Sequence, residues 1–138
     1  MFSLESKCCN SKLTVALQLL LENYCHFLIH NNAIGSICYE SLLEPGNQEL
    51  RQRFHELKAF GTMYYPSAVL QTRIDNISFA LKRENKAGLQ LADFVPNTLA
   101  RLAAGMPPKS STLRKNVVSR LYDGGVGNAH KYGVKVIP

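Results

Sequence analysis

Between Leu13 and Tyr39 the apolar residues change their period, and that switch limits what the chain can fold into. Leu13, Leu17, Leu20, Tyr24 and Phe27 recur at three- and four-residue steps, with Ala16 and Leu28 widening the stripe. This spacing predicts an amphipathic helix over Ser11 to His30, capped by Asn10 or Ser11. Asn31-Asn32 and Gly35 end it. The run Ile34-Gly35-Ser36-Ile37-Cys38-Tyr39 then reads as a short β-strand that reaches Glu40, and Glu44-Pro45-Gly46-Asn47 is expected to break the chain.

The same alternation continues. Leu50, Phe54 and Leu57 mark a second helix over Gln48 to Phe60, with Gly61 as its C-terminal stop. Thr62 to Tyr65 is expected as a strand closed by Pro66, and Ile77 to Leu81 as another. A third helix should run from Ala87 or Gly88 to Gly105, ahead of Pro107-Pro108, with a kink at Pro96. A short basic helix over Thr112 to Tyr122, a Gly124–Asn128 turn and a final strand over Tyr132 to Ile137 complete the reading. Helix, strand, helix, strand, helix is the order of an α/β fold in which helices pack on a sheet.

A chain of 138 residues is expected to form one domain. It has no stretch of about 20 unbroken apolar residues, so no membrane partner is expected. The residues from Met1 to Asn10 lack the apolar segment of a secretory signal. Cys8, Cys9, Cys25 and Cys38 do not pair in the Cys-x-x-Cys spacing of zinc ribbons, and they read as reduced thiols in a cytoplasmic protein. Charge is uneven: up to Ala100 nine Lys/Arg balance nine Asp/Glu. From there on, Arg101, Lys109, Arg114, Lys115, Arg120, Lys131 and Lys135 face only Asp123, which carries the whole net charge of +6. The segment 106–138 therefore reads as a basic extension. Either it is a solvated surface or Arg114, Lys115, Arg120 and Lys131 attract a nucleic-acid backbone.

Two carboxylates stand out by position. Glu40 ends an apolar strand, where functional groups collect in open α/β sheets. Asp93 sits in the apolar run Gly88-Leu89-Gln90-Leu91-Ala92-Asp93-Phe94-Val95, on a polar stripe with Lys86, Gln90, Asn97 and Arg101. A strand-end and a helix carboxylate that converge can hold Mg²⁺ through hard oxygen ligands, with Mn²⁺ as a substitute. Lys82, at the end of a strand, could pair with either carboxylate or with a substrate phosphate. The bland alternative is that all three are solvated. Glu22, His26 and His30 share a helix face in a geometry that could bind zinc, but they lack the His-Glu-x-x-His arrangement, and the histidines read instead as partly exposed helix residues.

The run from Ile77 to Phe94, with Leu-Gln-Leu-Ala-Asp at Leu89–Asp93, resembles the bacterial family called "domain of unknown function 3800". The Tyr39-Glu40-Ser41 strand end and the closing Tyr132-Gly133-Val134-Lys135-Val136 run fit the same pattern. That resemblance implies a ribonuclease-H-like fold and a metal-dependent phosphodiester hydrolase, with Glu40 and Asp93 as metal ligands and Lys82 as an electrostatic helper. Members of the family begin with a strand ending in Asp-Glu-Ser-Gly, and this sequence has no such run. The expectation is therefore an N-terminally truncated domain with little activity as an isolated chain, or an inactive interaction or nucleic-acid-binding module. It also follows that the strand ending at Glu40 has an open edge, and that Leu13, Leu17, Leu20 and Tyr24 lie partly bare. Self-association, or a partner that supplies strands, is the consequence.

Overall fold

A computed structural model describes the backbone of residues 4–134 and the side chains of residues 14–134. The order is α1 (Leu4–His30), β1 (Gly35–Glu40), α2 (Glu44–Phe60), α3 (Ser67–Arg73), β2 (Ile74–Ala80), a 3₁₀ turn (Lys82–Glu84), α4 (Ala87–Ala103), α5 (Ser111–Val118) and α6 (Ala129–Tyr132). The two strands pair in parallel, so the expected α/β class is observed. Two compact units divide the described residues. One holds those up to Ile37 together with Leu42–Ser78; the other holds Cys38–Ser41 and the chain from Phe79 on.

In the first unit α1, α2 and α3 pack on one another. Its core is Leu17, Leu21, Cys25 and Leu28 of α1, Leu50 and Phe54 of α2, Leu70 of α3 and Ile74 at the head of β2. The buried stripe of α1 differs from the expected one. Leu17 is 2% exposed rather than bare, whereas Leu20 and Phe27 are 43% and 41% exposed. The side chain of Leu13 lies outside the described residues. Leu17 and Leu28 belong to both stripes, and Leu19, Leu20 and Leu21 are consecutive, so periodicity alone does not choose between the two neighbouring faces. The choice falls on the one containing Cys25, a residue type that packs as a small hydrophobe.

The Glu44–Asn47 segment does not break the chain; it is the first turn of α2. Pro45 occupies the opening positions of that helix, where its missing N–H costs nothing. Asn47, almost wholly buried, accepts the Leu42 N–H on Oδ1 at 2.8 Å. Gly61 ends α2 with φ +82°, and a Cβ there would come within 2.8 Å of the Tyr65 carbonyl oxygen.

The strand expected at Thr62–Tyr65 is a bend instead. Thr62 Oγ1 accepts the N–H groups of Tyr64 and Tyr65 at 3.3 and 3.2 Å, which satisfies locally the donors a strand would have offered. Helix α3 follows, and Ser67 Oγ donates to the Lys58 carbonyl at 2.8 Å. No residue separates α3 from β2, so the strand starts at Ile74, three residues before the expected Ile77. Lys58 pins that start: its Nζ donates to the carbonyls of Ile74 (2.6 Å) and Asp75 (2.7 Å).

Along the sheet Ile37, Tyr39, Ile77 and Phe79 are half-buried, while Ser36, Cys38, Asn76 and Ser78 are exposed. One face packs and the other is polar. In the second unit the strand ends are tied by the Ser41 N–H to the Ala80 carbonyl at 2.8 Å and by stacking of Tyr39 on Phe79 at 6.3 Å. Burial pushes the Tyr39 hydroxyl above its ordinary pKa. Helix α4 begins at Ala87, as expected, and continues through Pro96. Helix α5 is shorter than expected and is capped by Ser110, whose Oγ accepts the Leu113 N–H at 3.2 Å. The closing strand is not found where its described part falls. Tyr132 ends α6, which Asn128 caps by accepting the Lys131 N–H at 3.0 Å; residues 135–137 lie outside the described residues.

Candidate functional site

Glu40, Lys82 and Asp93 line one cleft of about 140 Å³ in the second unit, with Leu81, Asn85, Lys86, Leu89 and Gln90. Three local features put them there. Glu40 is the last residue of β1, where the chain leaves the sheet. Lys82 follows β2 by two residues and opens the 3₁₀ turn. Asp93 lies on α4 two turns from its start, on the same stripe as Lys86 and Gln90, as helical spacing requires.

The link between sheet and helix is held by its own hydrogen bonds. Glu84 Oε1 accepts the Leu81 N–H at 2.9 Å, and Glu84 Oε2 lies 3.6 Å from Lys86 Nζ. The Leu81 N–H first, and the nearby Lys86 charge after it, hold the Glu84 carboxyl below its ordinary pKa. Asn85 takes the left-handed conformation at φ +52°, which Asn tolerates better than most residues, and its Oδ1 accepts from Gln90 Nε2. The chain thereby reverses at Asn85 and starts α4 against the strand ends.

Within the cleft Lys82 Nζ lies 3.8 Å from Glu40 Oε1. The Lys82 side chain is 84% exposed, so this pair adds no more than about 1 kcal/mol to stability and is easily exchanged for another partner. Asp93 is exposed. Among the described residues no group of three or more His, Cys, Asp or Glu is arranged to hold a metal ion. Glu40 and Asp93 line the same cleft, and each is a hard oxygen donor of the kind that Mg²⁺ takes beside water and substrate phosphate.

Asp93 also borders a second cleft, of about 160 Å³, between α4 and α5. Helix α4 ends where Gly105 turns left-handed (φ +66°) and the Met106 N–H bonds back to the Arg101 carbonyl at 2.8 Å. Arg101 then holds the returning chain, donating from Nε and Nη2 to the Pro107 carbonyl at 2.9 and 2.7 Å. That reversal brings Lys109 and Arg114 to the same cleft as Arg101. Arg101 was legible as part of the polar stripe; Lys109 was legible only as one of the excess basic residues, because it comes from a loop without periodicity.

The four residues expected to follow a phosphate backbone fall in different places. Arg114 lines the second cleft. Arg120 borders an apolar groove with Leu91 and Phe94, and its Nη1 donates to the Asn116 carbonyl at 3.2 Å. Lys115 is exposed on α5, and Lys131 Nζ lies 5.3 Å from the centre of the Tyr132 ring. Glu22 is buried and accepts a hydrogen bond from Gln18 Nε2 at 3.1 Å, which fits packing rather than metal binding. No helix among the described residues is long and apolar enough to cross a membrane. Comparison of the chain with models of known families, with curated proteins and with solved structures finds no match in any of the three.

Proposed function

We propose that the chain is a phosphodiester-hydrolase domain of ribonuclease-H-like type that acts on nucleic acid, in line with its resemblance to the "domain of unknown function 3800" family. The observation that carries this reading is one cleft lined by Glu40, Lys82 and Asp93, at the junction of strand ends and helix. Glu40 and Asp93 would be the carboxylates to hold Mg²⁺ or Mn²⁺, and such an ion would supply an activated water and stabilise the leaving oxygen. Lys82, whose pair with Glu40 is exposed, would be available to a substrate phosphate if Glu40 ligated the ion. Arg114, Lys115, Arg120 and Lys131 add long-range attraction for the backbone.

A second reading rests on the same cleft. Two carboxylates give a weak Mg²⁺ site, and no larger ligand group occurs among the described residues. An isolated chain of low activity, working as a binding module or completed by a partner that pairs with an open edge of the two-stranded sheet, fits that donor set. One experiment separates the two. Purified chain is incubated with labelled RNA and DNA, with Mg²⁺ and with chelator. Metal-dependent cleavage that is lost in both Glu40→Gln and Asp93→Asn supports the hydrolase; binding without cleavage supports the module. Sedimentation of the same sample tests the partner: a well-behaved monomer counts against an edge that needs covering.

A further inference from the structure

Apolar and cationic side chains line the second cleft together. Phe94, Leu102 and Met106 line it together with Arg101, Lys109 and Arg114, and Asp93 is its one acidic residue. Phe94 is 55% exposed although it stands on a helix packed against another. An aromatic face left open among cations is the composition that binds unpaired bases: the ring stacks on the base, and the charges meet the flanking phosphates. The volume narrows the ligand further. About 160 Å³ is well under the ~300–1,000 Å³ of pockets that enclose a drug-sized molecule, so the cleft takes one ring system rather than a whole nucleotide.

We propose that this cleft is a base subsite, and that the substrate is single-stranded nucleic acid. One unpaired base enters between α4 and α5 onto Phe94, and Lys109 and Arg114 hold the phosphates beside it. Arg101 shapes the wall, since its guanidinium is already engaged by the Pro107 carbonyl. Asp93 borders both clefts, so the neighbouring phosphodiester of the same strand lies at Glu40 and Asp93. That placement rests on the hydrolase reading; the base subsite does not. A duplex is excluded because its bases are stacked and paired, out of reach of Phe94.

The test is fluorescence anisotropy of the full chain in chelator, where no cleavage occurs. The probes are a short labelled oligodeoxythymidine, a duplex of the same length, and the same single strand made abasic at every position. The expected result is tight binding of the single strand, and loss on the order of tenfold for the duplex and for the abasic strand. Phe94→Ala should lose as much and Phe94→Leu nearly as much, while Phe94→Tyr stays near the parent. Lys109→Ala and Arg114→Ala should weaken all three probes and flatten the salt dependence. Equal binding of the intact and abasic strands overturns the proposal without relying on any variant, and so does failure of the parent to bind. An acidic peptide that binds in a Phe94-dependent way where the strand does not also overturns it, in favour of a protein partner. Base-dependent binding without Mg²⁺-dependent cleavage sinks the hydrolase and leaves the subsite; cleavage without base dependence does the reverse.

Discussion

Lys58→Met removes a cation that ties the end of one helix to the start of a strand. Its Nζ donates to the carbonyls of Ile74 and Asp75 at 2.6 and 2.7 Å and lies 5.5 Å from the centre of the Phe54 ring. Methionine keeps most of the apolar stem, so the loss is chiefly electrostatic. A hydrogen bond from a charged donor nets about 1.5–3 kcal/mol. The Ile74 bond is partly buried and falls near the lower end of that range; water replaces most of the exposed Asp75 bond, which leaves about half a kcal/mol. The cation over Phe54 adds about 0.5 kcal/mol more. The sum is roughly 2–3 kcal/mol, and at about 4 °C per kcal/mol for a chain of this size the midpoint falls by ~8–12 °C. Thermal melting followed by far-ultraviolet circular dichroism reads this directly, with exposed Arg83→Met as a control expected within about 0.5 kcal/mol of the parent. A Lys58→Met midpoint within about 2 °C of the parent would refute the role given to these bonds.

Leu21→Ala should cost about 2–5 kcal/mol and Leu20→Ala under about 1 kcal/mol in a denaturant melt, because only Leu21 is fully buried; the reverse order would mean that α1 is rotated. Burial raises the Cys25 thiol above its ordinary pKa, with Arg73 opposing weakly, so a thiol reagent should label exposed Cys38 first and Cys25 only on unfolding. Equal native-state rates would contradict this. Because the folded thiol holds its proton more tightly, its contribution to stability is full below the ordinary thiol pKa and is lost as pH rises through the raised one. Cys25→Ala should flatten that alkaline decline in denaturant midpoint. Glu84 runs the other way: its lowered pKa means that the bond to the Leu81 N–H is present above the ordinary Glu value and is lost as pH falls through the lowered one. The Leu81 amide shift should titrate with that depressed midpoint and stop doing so in Glu84→Gln; a midpoint at the ordinary value would be evidence against the turn.

The residues most legible in the sequence were those whose roles depend on period or position in an element. Glu40 at a strand end, Lys82 after a strand and Asp93 on a helical polar stripe came out in one cleft because strand ends and helix starts meet there. Helix α3 escaped notice since seven residues are under two turns, too few to show a period. Pro45 reads as a breaker in the sequence, although the same residue opens a helix as readily when an Asn side chain secures the preceding backbone, as Asn47 does for Leu42. The face of α1 was ambiguous because Leu19, Leu20 and Leu21 are consecutive and offer two overlapping stripes to the core. The second cleft was hidden for another reason. Lys109 meets Arg101 only after the chain reverses at Gly105, and no pattern of spacing encodes that return.

The direct junction of Arg73 to Ile74 bears on how this chain can tolerate change in length. Most neighbouring elements are joined by a few residues that absorb insertions. Here an added residue has no slack to occupy: it must lengthen α3 by 100° of rotation or shift β2 by one place. In the strand, such a shift would exchange half-buried Ile77 and Phe79 for the polar Asn76 and Ser78. Lys82 would move with them, away from its position beside Glu40. The step from Arg73 to Ile74 thus fixes which residues of β2 face inward, with no loop residue to take up an error.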